Sequence, residues 1–218
     1  MTVLPSTAAR EYHDTVRADV VPHVPGTGGT LLDVGGGSGA TAVRLKSLGK
    51  ADRVGVVDVV DCGGYSQADF SYVGNVEDES FVKTVTEQEG PFATILCLDV
   101  LEHVVDPWHV VARLHSALAP GGVIVASIPN VRNYGVVLPL VFRNRWTLRD
   151  AGILDRTHLR FFVRSTAIEL MTSSGLDLRS VAPSPSGGRR VWLFRRLTFG
   201  LLNSFTDRQY VVCVQRSG

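Results

Sequence analysis

Apolar and polar positions alternate in two rhythms along this chain. Thr30–Val34, residues 53–57, Phe92–Leu98 and residues 123–128 are short apolar runs rich in β-branched side chains, the pattern of strands. Phe92–Leu98 is apolar apart from Thr94, as expected of a strand covered on both faces. Residues 69–73 form a weaker strand. Residues 40–48 and 106–117 carry apolar positions at helical spacing. Gly49 stops the first, and Asp106 with Pro107 opens the second. Residues 6–21 read as an opening helix capped by Ser6 or Thr7, followed by a stretch broken by Pro22, Pro25, Gly26, Gly28 and Gly29. Residues 129–162 lose the rhythm. Beyond them come a helix over 164–174 ended by Gly175, a strand over 176–181, a proline- and glycine-rich loop over 183–188, a helix over 190–205 and a last strand over 210–214. Strands alternating with helices predict one α/β domain over residues 1–218, with a mostly parallel seven-stranded sheet and helices on both faces. The final pair of strands lacks the usual long crossover helix, which predicts an antiparallel edge strand.

A chain of 218 residues can bury one such core. The formal net charge of +1 gives no reason to expect a nucleic-acid partner. Cys62, Cys97 and Cys213 are odd in number and irregular in spacing, which argues against a disulfide framework and for a reducing, cytoplasmic setting. Cys97 and Cys213 sit in apolar runs, as small buried hydrophobes do. The first residues lack the basic and apolar regions of a signal peptide, and no apolar run is long enough to span a bilayer.

The sharpest local signal is the strand–turn–helix Leu31-Leu32-Asp33-Val34-Gly35-Gly36-Gly37-Ser38-Gly39. Glycines let the chain turn tightly and let a ligand approach the backbone. In an open α/β sheet the ligand crevice lies beyond the carboxyl ends of the strands. Asp58 ends the second strand at the spacing of a carboxylate that grips ribose hydroxyls, and Asp61 is the nearby alternative. These features also fit a nicotinamide cofactor, because Gly35, Gly37 and Ala40 satisfy a dinucleotide fingerprint.

Later segments separate the two. Asp99-Val100-Leu101-Glu102-His103, Asp106-Pro107, Leu118-Ala119-Pro120-Gly121-Gly122 and Pro129-Asn130 follow in order at α/β-unit spacing. As a set they resemble the class I S-adenosylmethionine-dependent methyltransferases, whose fold is Rossmann-like. The resemblance is to the branch that includes ubiquinone-pathway O-methyltransferases and sugar and natural-product methyltransferases. It implies that Asp33, Gly35, Gly37 and Gly39 form the turn facing the methionine portion of the cofactor, and that Asp58 holds the ribose. Asn75 and Val76 lie where the family places its adenine contacts, often with an aspartate in place of Asn75. Leu98 and Asp99 lie beside the reactive methyl.

Methyl transfer to a hydroxyl needs alignment and a base. His103 and His158 are the candidates for that base, with Asp99 and Glu102 near them. His158 lies in Arg156-Thr157-His158-Leu159-Arg160-Phe161-Phe162, a segment the family also resembles. Asp99, Glu102 and His103 have i, i+3, i+4 spacing, which on a helix shares one face. In small-RNA 2′-O-methyltransferases and ubiquinone-pathway enzymes a similar cluster binds a divalent metal, and a later histidine corresponds to His158. The plainer reading is that Glu102 caps or pairs and His103 lines the pocket. The expected acceptor is a small-molecule hydroxyl on a sugar, phenol or natural product. RNA methylation is disfavoured by the balanced charge. A nicotinamide-dependent oxidoreductase and a cofactor-binding module without catalysis are the alternatives.

Two stretches stand apart. Residues 131–160 carry Tyr134, Phe142 and Trp146 among Arg132, Arg143, Arg145 and Arg149, a composition for a lid or acceptor pocket. Residues 189–205 interleave arginines with bulky apolar side chains. Over 189–199 that pattern suits peripheral contact with a membrane, or an anionic acceptor. The plainer expectation puts Trp192, Phe199 and Leu202 over the sheet with the arginines in water.

Overall fold

A computed structural model describes residues 15–61, 67–185 and 188–218. The chain runs β1 (Thr30–Val34), α1 (Ala40–Ser47), β2 (Arg53–Asp58), β3 (Phe70–Val73), α2 (Glu79–Glu89), β4 (Phe92–Leu98), α3 (Pro107–Ala117) and β5 (Leu118–Pro129). It continues through α4 (Tyr134–Arg143), α5 (Arg164–Thr172), β6 (Asp177–Pro185), α6 (Arg189–Leu197) and β7 (Asp207–Gln215). The sheet order is β3-β2-β1-β4-β5-β7-β6. The pairs among β1 to β5 are parallel. The expected antiparallel pairing closes the sheet: β7 runs against both β5 and β6, one position in from the β6 edge.

Successive side chains of a strand point to opposite faces, so each strand feeds two cores. Leu32, Val34, Ile95 and Cys97 pack with Val82, Val110, Leu114 and Leu170 of α2, α3 and α5. Leu31, Leu96, Val123 and Val125 pack on the other face with Ala42 and Leu45 of α1 and with Val20 and Val24. Cys97 and Cys213 are free and buried, as expected; Cys62 lies outside the described residues.

The structure departs from the expected elements in several places. Of the opening helix, residues 6–14 lie outside the described residues. Residues 15–20 form no α-helix, and a 3-10 turn over Val21–His23 carries Pro22. α2 and α4 were not anticipated. α2 starts at Asp78, whose carboxylate accepts the N–H groups of Ser80 and Phe81. β6 continues through Pro183 and Pro185, residues expected in a loop. An edge strand tolerates proline because one side of its ladder has no partner. The expected helix over 190–205 ends at Leu197. Phe199 and Gly200 take φ of 48° and 80°, which a right-handed helix cannot continue through.

Candidate functional site

The glycine turn leaves β1 at the carboxyl end of the parallel strands. Gly35 sits at φ 67°, and a Cβ there would lie 2.7 Å from Cγ2 of Val100. The turn rests on Asp33: a Cβ on Gly36 would lie 2.6 Å from its carboxyl carbon. Asp33 is buried and its Oδ1 has no hydrogen-bond partner among the described residues. Burial, then the charge of Asp58, pushes its carboxyl up to about 7. α1 starts beyond Gly39 without a side-chain cap; in its first turn Val43 donates its N–H to the Gly39 carbonyl and the Ala42 N–H faces the Asp33 carboxyl.

Asp58 is buried at the end of β2. Its Oδ2 accepts the Gly37 N–H at 3.0 Å and its Oδ1 accepts the Val60 N–H at 3.0 Å. A carboxylate offers about four lone-pair sites, so capacity is left for ribose hydroxyls. Asn75 is exposed beyond β3, and its Oδ1 accepts the Glu77 N–H at 2.9 Å. That bond shapes the loop and leaves a second lone pair. Val76 is buried in the core below. A turn with four glycines in five residues and a buried carboxylate with spare acceptors fit an adenosyl amino acid.

Arg17 is the site residue that the sequence pattern did not reveal. It precedes β1 in a stretch read as helix, and no motif marks it. Its N–H donates to Thr41 Oγ1 of α1 at 3.1 Å, while its guanidinium reaches across to Asp99 and comes within 3.5 Å of Ser127 Oγ. Asp99 takes φ 57° as the chain leaves β4 beside Leu98. Ser127 of β5 donates its hydroxyl to Asp99 Oδ1 at 2.8 Å and accepts the Asp99 N–H at 3.0 Å. Asp99 is therefore turned toward Ser127 and Arg17.

The segment after Asp99 is a turn and not a helix, closed by a bond from the His103 N–H to the Val100 carbonyl at 2.9 Å. The shared helical face expected for Asp99, Glu102 and His103 is thus replaced. Glu102, His103 and His158 come together, with one ligand atom of each within 4.8 Å of the others, and Asp99 stands outside that group. The two segments are tied by the backbone, because the Glu102 carbonyl accepts the N–H groups of Leu159 and Arg160. The imidazoles of His103 and His158 meet edge to face, centroids 4.6 Å apart.

Hydrogen bonds set both rings. His158 Nδ1 lies 3.1 Å from the Ile153 carbonyl, which can only accept. Nδ1 therefore carries the proton and Nε2 keeps a lone pair. Thr157 donates its hydroxyl to Asp155 Oδ1 at 2.7 Å, so across 3.1 Å it accepts from His103 Nδ1. In the neutral tautomer of His103 the lone pair is then on Nε2. Burial lowers the pKa of His158 and favours the neutral ring. Glu102 is 1% exposed and neither carboxylate oxygen has a hydrogen-bond partner among the described residues. His158 Nε2 is 4.0 Å from Oε1. Glu102 therefore caps no N–H group among the described residues, and its pairing is limited to the His158 ring at the outer edge of ion-pair distance. Burial, then the charge of Asp99, raises its pKa well above the usual carboxylate range. An ionised carboxylate so placed is costly unless it is protonated or meets a cation. Two imidazole nitrogens and a carboxylate oxygen are a donor set for a divalent metal.

Comparison with known proteins places this geometry in context. Residues 8–181 match the profile of a family described as a methyltransferase domain. The ubiquinone biosynthesis O-methyltransferase of Xanthomonas campestris pv. campestris is 31% identical over 173 residues, covering 74% of this chain and 72% of that protein. That of Albidiferax ferrireducens is 26% identical over 196 residues, 82% of this chain and 73% of the relative. Among solved structures, a SAM dependent methyltransferase from Archaeoglobus fulgidus gives a TM-score of 0.63 at 15% identity, over 95% of this chain and 94% of that one. The N-methyltransferase NodS from Bradyrhizobium japonicum WM9, in complex with S-adenosyl-L-homocysteine, gives 0.57 at 14% identity, over 98% and 89%.

Proposed function

Because the chain belongs to the class I S-adenosylmethionine-dependent methyltransferases, we propose that it methylates a hydroxyl of a small molecule at the cluster of Glu102, His103 and His158. The observation that carries this reading is the unpartnered, buried Glu102 carboxylate grouped with the His103 and His158 imidazoles. An amine can attack with the pair it already has, whereas a hydroxyl must lose a proton. The O-methyltransferase relatives support the same choice.

When bound, S-adenosylmethionine supplies a sulfonium methyl whose carbon the acceptor oxygen attacks as the C–S pair returns to sulfur. Gly35, Gly37 and Gly39 give the methionine portion a backbone it can approach, above Asp33. Asp58 would accept from the ribose hydroxyls and Asn75 would stand by the adenine, with Val76 packed in the core beneath that loop. Arg17, engaged by the carboxylates of Asp19 and Asp99, holds Asp99 in place, and Leu98 and Asp99 stand beside the methyl. The neutral Nε2 of His103 or His158 takes the acceptor proton. Residues 131–160 close over the acceptor and exclude water from the transfer.

The same cluster favours a metal-assisted reading, with Glu102, His103 and His158 as the holders. A divalent ion there would lower the pKa of an acceptor hydroxyl. S-adenosylhomocysteine is expected to bind in the micromolar range by calorimetry, and no binding by folded protein would remove the cofactor reading. Manganese(II), followed by paramagnetic resonance, is expected to bind the wild type and to be lost in Glu102→Gln and His158→Ala. Equal binding in all three would leave the histidines as metal-free bases. Screening hydroxyl acceptors with labelled cofactor, with and without a chelator, then tests transfer itself. Methylation of amines alone would overturn the choice of oxygen.

A further inference from the structure

We propose that Glu77 and Arg160 are positioning residues for the transfer: together they clamp Val105 and so tie the adenosyl end of the crevice to the cluster of Glu102, His103 and His158. The clamp rests on the functions given above to those two ends.

The stretch from Asp99 to Asp106 carries two members of the cluster, yet it belongs to no helix or strand. Its backbone polar groups must therefore find partners one by one. Leu101 and Val104 are buried in the core and anchor its underside. Val105 has no such anchor, because its side chain is 59% exposed. Its main chain is instead held from two sides. Glu77 Oε1 accepts the Val105 N–H at 2.8 Å and the Asp106 N–H at 3.2 Å. Arg160 donates Nε to the Val105 carbonyl at 3.1 Å, and its Nη2 donates to the same oxygen. Hydrogen bonds to ionised groups are roughly twice as strong as neutral ones. Starting α3 does not require this arrangement, since Asp106 caps that helix itself by accepting the His109 N–H at 3.1 Å.

Each jaw of the clamp is joined to one end of the site. The Glu77 N–H donates to Asn75 Oδ1 at 2.9 Å, so the residue proposed beside the adenine sets the backbone that carries the carboxylate. Arg113 of α3 donates to the Glu77 carbonyl at 2.6 Å and fastens that loop from below. On the other side the Arg160 N–H, with that of Leu159, donates to the Glu102 carbonyl. Arg160 is two residues beyond His158, and Val105 is two residues beyond His103. A shift of the Asn75 loop therefore reaches all three members of the cluster through Val105. Residues 189–205 take no part in these ties: Trp192, Phe199 and Leu202, expected over the sheet, are exposed instead. Transfer needs the acceptor and the base aligned on the methyl. A cluster held through the adenosyl loop is set against the bound cofactor and not against the sheet alone.

Adenosine tests this, because it fills the adenosyl end and lacks the methionine portion that lies near the cluster. Nitrogen magnetic resonance of the imidazoles in the whole chain gives the readout. Saturating adenosine is expected to shift the ring nitrogens of His103 and His158 in the wild type and to leave those of His115 in place. In Glu77→Ala the shifts are expected to vanish while calorimetry still finds adenosine bound. Glu77→Gln, whose amide oxygen still accepts both N–H groups, is expected to restore them. Arg160→Ala should behave as Glu77→Ala does, and its side chain is exposed, so it decides the matter if Glu77→Ala does not melt cooperatively. With S-adenosylhomocysteine the same link is expected to raise manganese(II) affinity at least about fivefold in the wild type and not in Glu77→Ala. A merely structural role would lower the melting temperature of Glu77→Ala and leave the adenosine response intact, and that result would overturn the clamp. So would adenosine that binds the wild type without moving either imidazole, or that fails to bind protein which takes S-adenosylhomocysteine. Folded protein that binds neither ligand would instead remove the cofactor reading, and the clamp with it.

Discussion

Asp58 and Glu102 are both buried carboxylates near the carboxyl ends of parallel strands, and their surroundings differ in kind. Asp58 receives backbone N–H groups from Gly37 and Val60, so the fold satisfies part of its charge before any ligand arrives. Glu102 receives none among the described residues, and the His158 Nε2 that stands 4.0 Å from its Oε1 has no proton to give. The first arrangement is a finished binding site with spare acceptors. The second is an incomplete one, which a proton or a cation must complete. A fold keeps an incomplete polar group only at a cost, and such costs gather at functional sites. The contrast separates the rigid half of the crevice, built on β1 and β2, from the acceptor half, built on turns and inserts.

Breaking the Asp58 side has the largest effect. Asp58→Ala strips two N–H groups of their acceptor and removes the proposed ribose contact. S-adenosylhomocysteine affinity is expected to fall at least about a hundredfold by calorimetry, and a loss under tenfold would place the ribose contact elsewhere. Next in size is Thr157→Val, which removes the acceptor that fixes the His103 tautomer. Manganese affinity is expected to drop about tenfold, with nitrogen shifts showing His103 in mixed tautomers. A variant with unchanged affinity and one pure tautomer would mean that Thr157 does not set the ring. The smallest effect has the opposite sign. Glu102→Gln is expected to stabilise the metal-free protein at pH 8 by about 1 kcal/mol. A carboxyl raised above its unfolded value contributes fully below that value and loses its contribution as pH rises through the raised one. The advantage of Glu102→Gln should therefore shrink toward pH 5 in thermal melts. Equal destabilisation at both pH values would show that Glu102 makes a bond the metal-free fold needs.

Much of the rigid half was legible in the sequence. β1, β2 and β4 announce themselves as apolar runs, and the glycine turn with Asp33 and Asp58 is a local signal at fixed spacing. α2 was missed because only Phe81, Val82 and Val85 mark its apolar face, amid threonines and glutamates. α4 was missed for the opposite reason: Gly135 and Pro139 read as breakers, and its aliphatic residues have no polar counter-face. Spacing and the segment around His158 pointed to Glu102, His103 and His158, which the fold brings within 4.8 Å of one another. The departure of Asp99 was not legible, since its partner Arg17 is 82 positions away and its backbone turns left-handed. No local pattern encodes either fact.

The position of β7 sets the order in which the molecule can be completed during translation. β6 is made before β7, yet it joins the sheet only through β7, which lies between it and β5. While residues 186–206 are emerging from the ribosome, β5 has a bare edge and β6 has no partner in this sheet. Until β7 fills the gap the nascent chain exposes Ile124, Ala126 and Ile128 along that edge, and it is then that a chaperone has most to cover.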